Sequence, residues 1–165
     1  MQRLPQRYMS LSLTVEQPDR LTACEWNEQM PDKYVTISTI ASDLQQARLL
    51  EDTLLREVGR FGYSEQAVFA IKLALEEAIN NAIRHGNGCD PDKRVTVRVE
   101  LDDDKMTISV ADEGPGFNPG TVPDPTADEN LEKPSGRGIM LMRAYMDDVR
   151  YNQRGNEICM CKRNA

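Results

Sequence analysis

Two polar side chains one helical turn apart, in the segment LEEAINNAIRHGN, are of types that could handle a phosphate or a metal ion. Glu77 and Asn81 are four residues apart, so both lie on one face of a helix. Glu76 and Asn80 repeat the same spacing, and an isolated pair of this kind is more often solvated helix polarity. The apolar stripe of this helix includes Leu73, Ala74, Ala78 and Ala82. Glu77 and Asn81 lie at the edge of that stripe, where a cleft could form, so this pair is favoured over Glu76 and Asn80.

Two glycine-rich segments follow downstream. In Asp112-Glu113-Gly114-Pro115-Gly116, the aspartate stands at a predicted strand end and can accept a hydrogen bond from an exocyclic amine such as that of adenine. Gly114 and Gly116 let the backbone approach a flat base. Gly136-Arg137-Gly138 begins a predicted helix, where free N–H groups favour phosphate. Neither segment is a P-loop, since no GK[ST] follows, and the order of the three motifs predicts a nucleotide pocket without a P-loop lysine.

Hydrophobic periodicity predicts the elements that must position these motifs. Tyr34–Ile40 alternates as a strand, and Ser42 or Asp43 then caps a helix that runs to about Arg60. Ser64 begins the helix of the Glu77 motif. We expect that helix to end near His85-Gly86, with the glycine as a left-handed cap.

Two hairpins and a third helix complete the pattern. Val95–Leu101 and Met106–Ala111 form one hairpin, and Val149–Gln153 with Glu157–Lys162 form the other. A polar connection, Asn118–Ser135, leads to a helix that Gly138 opens, Ile139–Met146. The predicted fold class is α+β: a two-layer α/β sandwich with a mixed, mostly antiparallel sheet and about three helices on one face.

Composition limits the function classes. The chain has 165 residues and a net charge of −7, which argues against direct nucleic-acid binding. Four cysteines without CxxC spacing and one histidine do not suggest a zinc site, and Cys159 and Cys161 are expected on one strand face. With no signal-type or membrane-spanning apolar run, we expect a cytoplasmic protein without membrane contact. Residues 1–32 form an extension, and residues 33–165 one domain.

The three motifs resemble those of a known superfamily. Glu77-x-x-x-Asn81, Asp112-x-Gly114-x-Gly116 and Gly136-x-Gly138 resemble the asparagine box and the two glycine boxes of the GHKL ATPases. The stretches EEAINNAIRHG, SVADEGPGF and SGRGIMLMRAYMDDV resemble, more narrowly, the bacterial anti-sigma-factor serine/threonine-protein kinases of the RsbW type. The similarity extends from about Tyr34 to Arg163. It implies the Bergerat ATP-binding fold, with ATP and Mg²⁺ as cofactors.

The resemblance also implies residue roles. Glu77 would be the general base on the attacking hydroxyl, Asn81 would ligate Mg²⁺, and Asp112 would bind the adenine amine. The connection Asn118–Ser135 would be the ATP lid. The remaining expected nucleotide contacts are the glycines of the two glycine motifs, together with the arginine inside the second motif: Gly114, Gly116, Gly136, Arg137 and Gly138.

Members of this family bind a sigma factor and phosphorylate a STAS-domain antagonist, so both are expected partners, and a homodimer is left open. One alternative is a non-catalytic, ATP-binding anti-sigma or partner-switching module. Another is a detached histidine-kinase catalytic domain, against which stands the lack of a preceding helix with a phosphoacceptor. The exposed or buried character of Met140, Met142 and Met146 is also open: core packing is expected, and an exposed methionine face could bind a partner.

Overall fold

The computed structural model describes residues 33–118 and 137–164. The N-terminal extension 1–32 lies outside the described residues, and so does the strand predicted near Leu11–Val15. Residues 119–136 also lie outside them, which removes Gly136 and nearly all of the expected lid from the description below.

The sheet has five strands in the order β1-β2-β3-β5-β4, and every neighbouring pair is antiparallel. This confirms the predicted α+β class. The parallel pairing of the expected mixed sheet is not found among the described strands. Their bounds are β1 Tyr34–Ala41, β2 Arg94–Leu101, β3 Lys105–Asp112, β4 Asp148–Tyr151 and β5 Glu157–Arg163.

Three α-helices, α1 (Leu44–Arg60), α2 (Glu65–Asn81) and α3 (Arg137–Tyr145), occur in the described ranges. Asp43, one of the two predicted caps, accepts a hydrogen bond from the N–H of Gln46 at 2.8 Å. Ser64 caps α2 in the same way. Each such cap stabilises a helix start by about 1 kcal/mol. Within the described part of the chain, no helix is long and apolar enough to cross a bilayer.

The hydrophobic core lies between the helices and one face of the sheet. Alternate residues of β2, such as Val95 and Val97, point into it, as do Leu75 and Ile79 of α2. The opposite sheet face carries a cavity of about 410 Å³ that is lined by polar and charged side chains, among them Arg98 and several neighbours on β3, β4 and β5.

The structure confirms only part of what was expected for the positions of the cysteines and the methionines. Cys159 and Cys161 share one strand face, as predicted, because they pair with Ser109 and Thr107, but Cys159 is exposed on the sheet face opposite the helices. Met142 and Met146 are buried in the core, whereas Met140 is exposed.

The predicted end of α2 is wrong in one respect. Gly86 is not a left-handed cap: α2 continues into a π-helical turn, Ala82–Gly86, and the first residue with positive φ is Gly88, at +65°. The N–H of Asn87 donates to the carbonyl of Ala82 at 2.8 Å, which extends the helical path before the chain reverses. Single π-turns of this kind are frequent at functional sites.

Candidate active site

The helix α3 begins against the glutamate–asparagine face of α2. Gly138 lies so close to α2 that a β-carbon at this position would overlap Oε2 of Glu77 and would stand 3.4 Å from Nδ2 of Asn81. Glu77 and Asn81 are both half-buried, whereas Glu76 is exposed. The structure therefore places the edge pair predicted from the sequence, rather than its neighbour, toward α3.

A second group forms around Asp112 at the end of β3. Its carboxylate lies directly on the α-carbon of Gly86, where any side chain would overlap all three carboxylate atoms. The N–H of Gly114 donates to Oδ1 of Asp112 at 2.8 Å and fixes its orientation. Burial raises the pKa of the Asp112 carboxyl above its usual range, and the Gly114 hydrogen bond and the charge of Arg154 partly oppose that rise.

The glycine turn after Asp112 is held from two sides. Gly114 is buried, and a β-carbon there would overlap the backbone carbonyl of Gly86. Gly116 has a φ of +77° and packs on the carbonyl of Arg154. The guanidinium of Arg154 donates to the carbonyl of Gly114 at 3.1 Å. The second hairpin, which carries Arg154, therefore supports the turn, a role that the sequence did not reveal.

Asn87 is a further residue that the sequence analysis missed. It is the one buried polar residue identified in the described core, with 2% of its surface exposed. Its Nδ2 donates to Oγ of Ser42 and to the carbonyl of Arg94, both at 2.9 Å, while its Oδ1 accepts from the N–H of Glu113 at 2.9 Å. One amide thus ties the end of α2 to the start of β2, the chain before α1 and the glycine turn.

These contacts connect two site groups along α2. Glu77, Asn81 and Gly138 form one group, and Asp112, Gly86 and Gly114 form the other. The π-helical turn Ala82–Gly86 joins them directly. Arg137 is exposed at the first position of α3, so it lies next to the Glu77 group. Gly136 lies outside the described residues.

The donor set fits a metal ion that arrives with a nucleotide. No cluster of three or more His, Cys, Asp or Glu side chains that could hold a metal exists among residues 33–118 and 137–164. The Asn81 amide offers one neutral oxygen near a carboxylate. Mg²⁺ commonly takes only one or two protein ligands and completes its shell with phosphate oxygens and water. The glycines at positions 86, 114 and 138 allow close packing within the protein: they meet the Asp112 carboxylate, the Gly86 carbonyl and the Glu77 carboxylate, respectively.

Comparisons with known proteins identify the family of this chain. The family described as the histidine kinase-like ATPase domain matches residues 40–162. The chain is 33% identical over 120 residues to the serine-protein kinase RsbW of Bacillus subtilis, covering 67% of this chain and 73% of that protein. It is 31% identical over 110 residues to RsbW of Listeria monocytogenes, covering 62% and 70%.

A solved structure shows the same fold. The RsbU and RsbW domains of a Mycobacterium tuberculosis protein superpose with a TM-score of 0.53 and 19% identity, over 79% of this chain and 32% of that longer one. The family match and the relatives confirm the resemblance that the three motifs carried. The chain belongs to the histidine kinase-like ATPase family, and within it to the RsbW type.

Proposed function

We propose that this chain is a protein-serine/threonine kinase that uses ATP and Mg²⁺. It would sequester a sigma factor and phosphorylate a STAS-domain antagonist in the cytoplasm. The observation that carries the proposal is the position of Glu77: half-buried on α2, one turn before Asn81, and in contact with the start of α3 at Gly138. The name serine-protein kinase borne by its relatives supports the same function.

In this proposal Glu77 acts as the general base. A serine or threonine hydroxyl oxygen of the substrate attacks the γ-phosphorus of ATP, the bond from that phosphorus to the β–γ bridging oxygen breaks, and ADP leaves. The hydroxyl proton passes to the Glu77 carboxylate. Such positioned proton transfer contributes about 10²–10⁴-fold to a rate.

The other site residues hold the nucleotide. Asp112, fixed by the N–H of Gly114, accepts a hydrogen bond from the adenine amine. Arg137 and Gly138 open α3, and the backbone N–H groups at that helix start favour the phosphates. Asn81 would hold Mg²⁺, which when bound spreads the negative charge of the phosphoryl group in transfer.

Two other functions compete with this one. A non-catalytic, ATP-binding anti-sigma module would need the nucleotide site without a base. The presence of Glu77 beside the start of α3 favours the kinase, because phosphoryl transfer needs a proton acceptor near the expected phosphate position and nucleotide binding alone does not. A detached histidine-kinase catalytic domain would transfer the phosphoryl group to an imidazole, and the product would then be a phosphoramidate.

Label transfer tests the proposal. The purified chain would be incubated with Mg²⁺, γ-labelled ATP and a STAS-domain protein captured with it from the native cell. We expect acid-stable label on that protein, and none when its acceptor serine or threonine is replaced by alanine. Acid-labile label would instead indicate the histidine-kinase alternative. Tight ATP binding with no label on any captured protein would support the non-catalytic module.

A further inference from the structure

The helices α2 and α3 run antiparallel and present apolar side chains at their outer surface. At one end Gly138 of α3 touches Glu77 of α2. At the other end Tyr145 of α3 packs edge-to-face on Phe69 of α2, with ring centroids 5.7 Å apart at an interplanar angle of 72°. The two contacts fix the direction of α3 relative to α2.

Helical spacing defines which residues form this apolar surface. Phe69, Leu73 and Glu77 follow one another at four-residue intervals and share a face of α2. On α3, Leu141 and Tyr145 are likewise neighbours on the face that begins at Gly138. We call the four apolar residues Phe69, Leu73, Leu141 and Tyr145 the aromatic groove.

The two aromatic residues of the aromatic groove are exposed. Phe69 has 56% of its surface exposed and Tyr145 has 39%, and the two leucines are half-buried. Exposed aromatic side chains that already pack edge-to-face present a large rigid contact area at little entropic cost. Such residues are enriched at the centres of protein–protein interfaces.

The position of the groove indicates which partner would use it. Along α2 the order is Phe69, Leu73, Glu77 and Asn81. The π-helical turn follows, and Asp112 of β3 packs against its Gly86. Adenine would lie at the Asp112 end and the phosphates at Glu77, so the groove continues from the phosphate end, away from adenine. The attacking and leaving oxygens of phosphoryl transfer are roughly in line, so the acceptor hydroxyl enters from the side opposite the leaving ADP.

We propose that the aromatic groove binds the protein substrate and directs its acceptor hydroxyl to Glu77. This rests on the proposed kinase function. With a rise of about 1.5 Å per residue, Leu73 and Phe69 stand about 6 and 12 Å from Glu77 along the helix axis. The groove therefore holds apolar side chains of the substrate that lie about 6–12 Å from the hydroxyl that is phosphorylated, and selects substrates that carry them.

Steady-state transfer kinetics would test this role. The variants are Phe69→Ala and, independently, Tyr145→Ala, with Ile37→Ala as the matched control, because Ile37 is 63% exposed but lies on β1, across the sheet from the helices. The substrate is the STAS-domain protein that the wild-type chain phosphorylates. We expect each groove variant to raise the KM for that protein about tenfold or more, with kcat and ATP affinity unchanged.

Two further readouts complete the test. Phe69→Leu, which keeps an apolar side chain, should recover most of the wild-type KM, and Ile37→Ala should leave it unaltered. An unchanged KM in both groove variants overturns the groove proposal while leaving the kinase function standing. Loss of sigma-factor binding with an unchanged KM assigns the groove to the sigma factor and also overturns it. If the wild-type chain labels no protein, the kinase function fails and the groove proposal fails with it.

Discussion

Replacing Gly86 by alanine should separate nucleotide binding from folding. Gly86 lies in the π-helical turn with an ordinary negative φ, so alanine is compatible with its backbone. The obstacle is Asp112, whose carboxylate occupies the space that the new β-carbon needs. The side chain of Asp112 must rotate away, although Asp112 itself is unchanged.

The size of the effect follows from the bond that the rotation breaks. The N–H of Gly114 donates to Oδ1 of Asp112 at 2.8 Å, and a hydrogen bond to a charged group contributes about 1.5–3 kcal/mol. Alanine in a helical position recovers about 1 kcal/mol of stability relative to glycine. We therefore expect the free energy of unfolding to fall by no more than about 2 kcal/mol. The ATP affinity should fall by about 10-fold to 150-fold, because the carboxylate no longer faces the adenine amine.

Calorimetric titration with Mg²⁺ and ATP, paired with urea unfolding, measures both quantities. Gly88→Ala is the control two residues away. Gly88 has a φ of +65°, and a β-carbon added to it would meet no atom within 4 Å. Alanine there therefore strains the backbone by about 1–2 kcal/mol without reaching Asp112. This control should lose stability and keep its ATP affinity. Asp112→Ala provides the benchmark for complete loss of the adenine contact.

Wild-type ATP affinity in a folded Gly86→Ala variant would refute the assignment of Asp112 as the adenine-binding residue. A loss of ATP affinity in Gly88→Ala as large as that in Gly86→Ala would also count against it, since general weakening of the turn would then explain both results.

Three further predictions concern residues around the same site. Asn87→Ala should lower the free energy of unfolding by about 2–4 kcal/mol, because it removes the side-chain partner of the Glu113 N–H and of the part-buried Arg94 carbonyl; chemical denaturation showing a change below about 1 kcal/mol would contradict this. Asn81→Ala should weaken Mg²⁺-dependent ATP binding and phosphoryl transfer together, and a variant that binds normally but transfers slowly would argue against its role as a metal ligand. Burial first, and the charge of Glu76 second, raise the pKa of Glu51 to about 7. Because the folded-state pKa lies above the unfolded one, the ionised carboxylate destabilises the fold most above pH 7, and the penalty disappears below about pH 4.5. Glu51→Gln should therefore stabilise the protein by about 1 kcal/mol at pH 8 after allowance for solvent screening, and by nearly nothing at pH 4; equal effects at both pH values would show that the charge is not the cause.

Local sequence signals predicted the elements well because those signals are physical properties of adjacent residues. Alternation gave the strands of both hairpins, and Asp43 and Ser64 gave the starts of α1 and α2 through side chains that bond to N–H groups three residues on. The choice of Glu77 over Glu76 as the residue at the cleft also came from a local property, the position of the apolar stripe on α2.

The hydrogen bonds and close contacts that support the site could not be predicted, because they join residues far apart in the chain. Asn87 bonds to Ser42 and Glu113, which are 45 and 26 residues away, and Arg154 reaches Gly114 across 40 residues. Gly86 suggested a left-handed cap, the commonest reason for a glycine at a helix end. It is instead a close-approach position, and nothing in its neighbours reveals that Asp112 packs on it.

The central claim is that Glu77 is the base of a phosphoryl transfer, and a comparison of Glu77→Gln with Glu76→Gln tests it most directly. Both substitutions remove one carboxylate from adjacent positions of α2, but only Glu77 faces α3, and Glu76 is exposed. The measurement is the rate of label transfer from ATP to the STAS-domain protein at saturating nucleotide, with ATP affinity determined in parallel. We predict that Glu77→Gln keeps its ATP affinity and loses about 10²–10⁴-fold in transfer rate, while Glu76→Gln stays near the wild-type rate. Transfer by Glu77→Gln at the wild-type rate would contradict the role of Glu77 as the base.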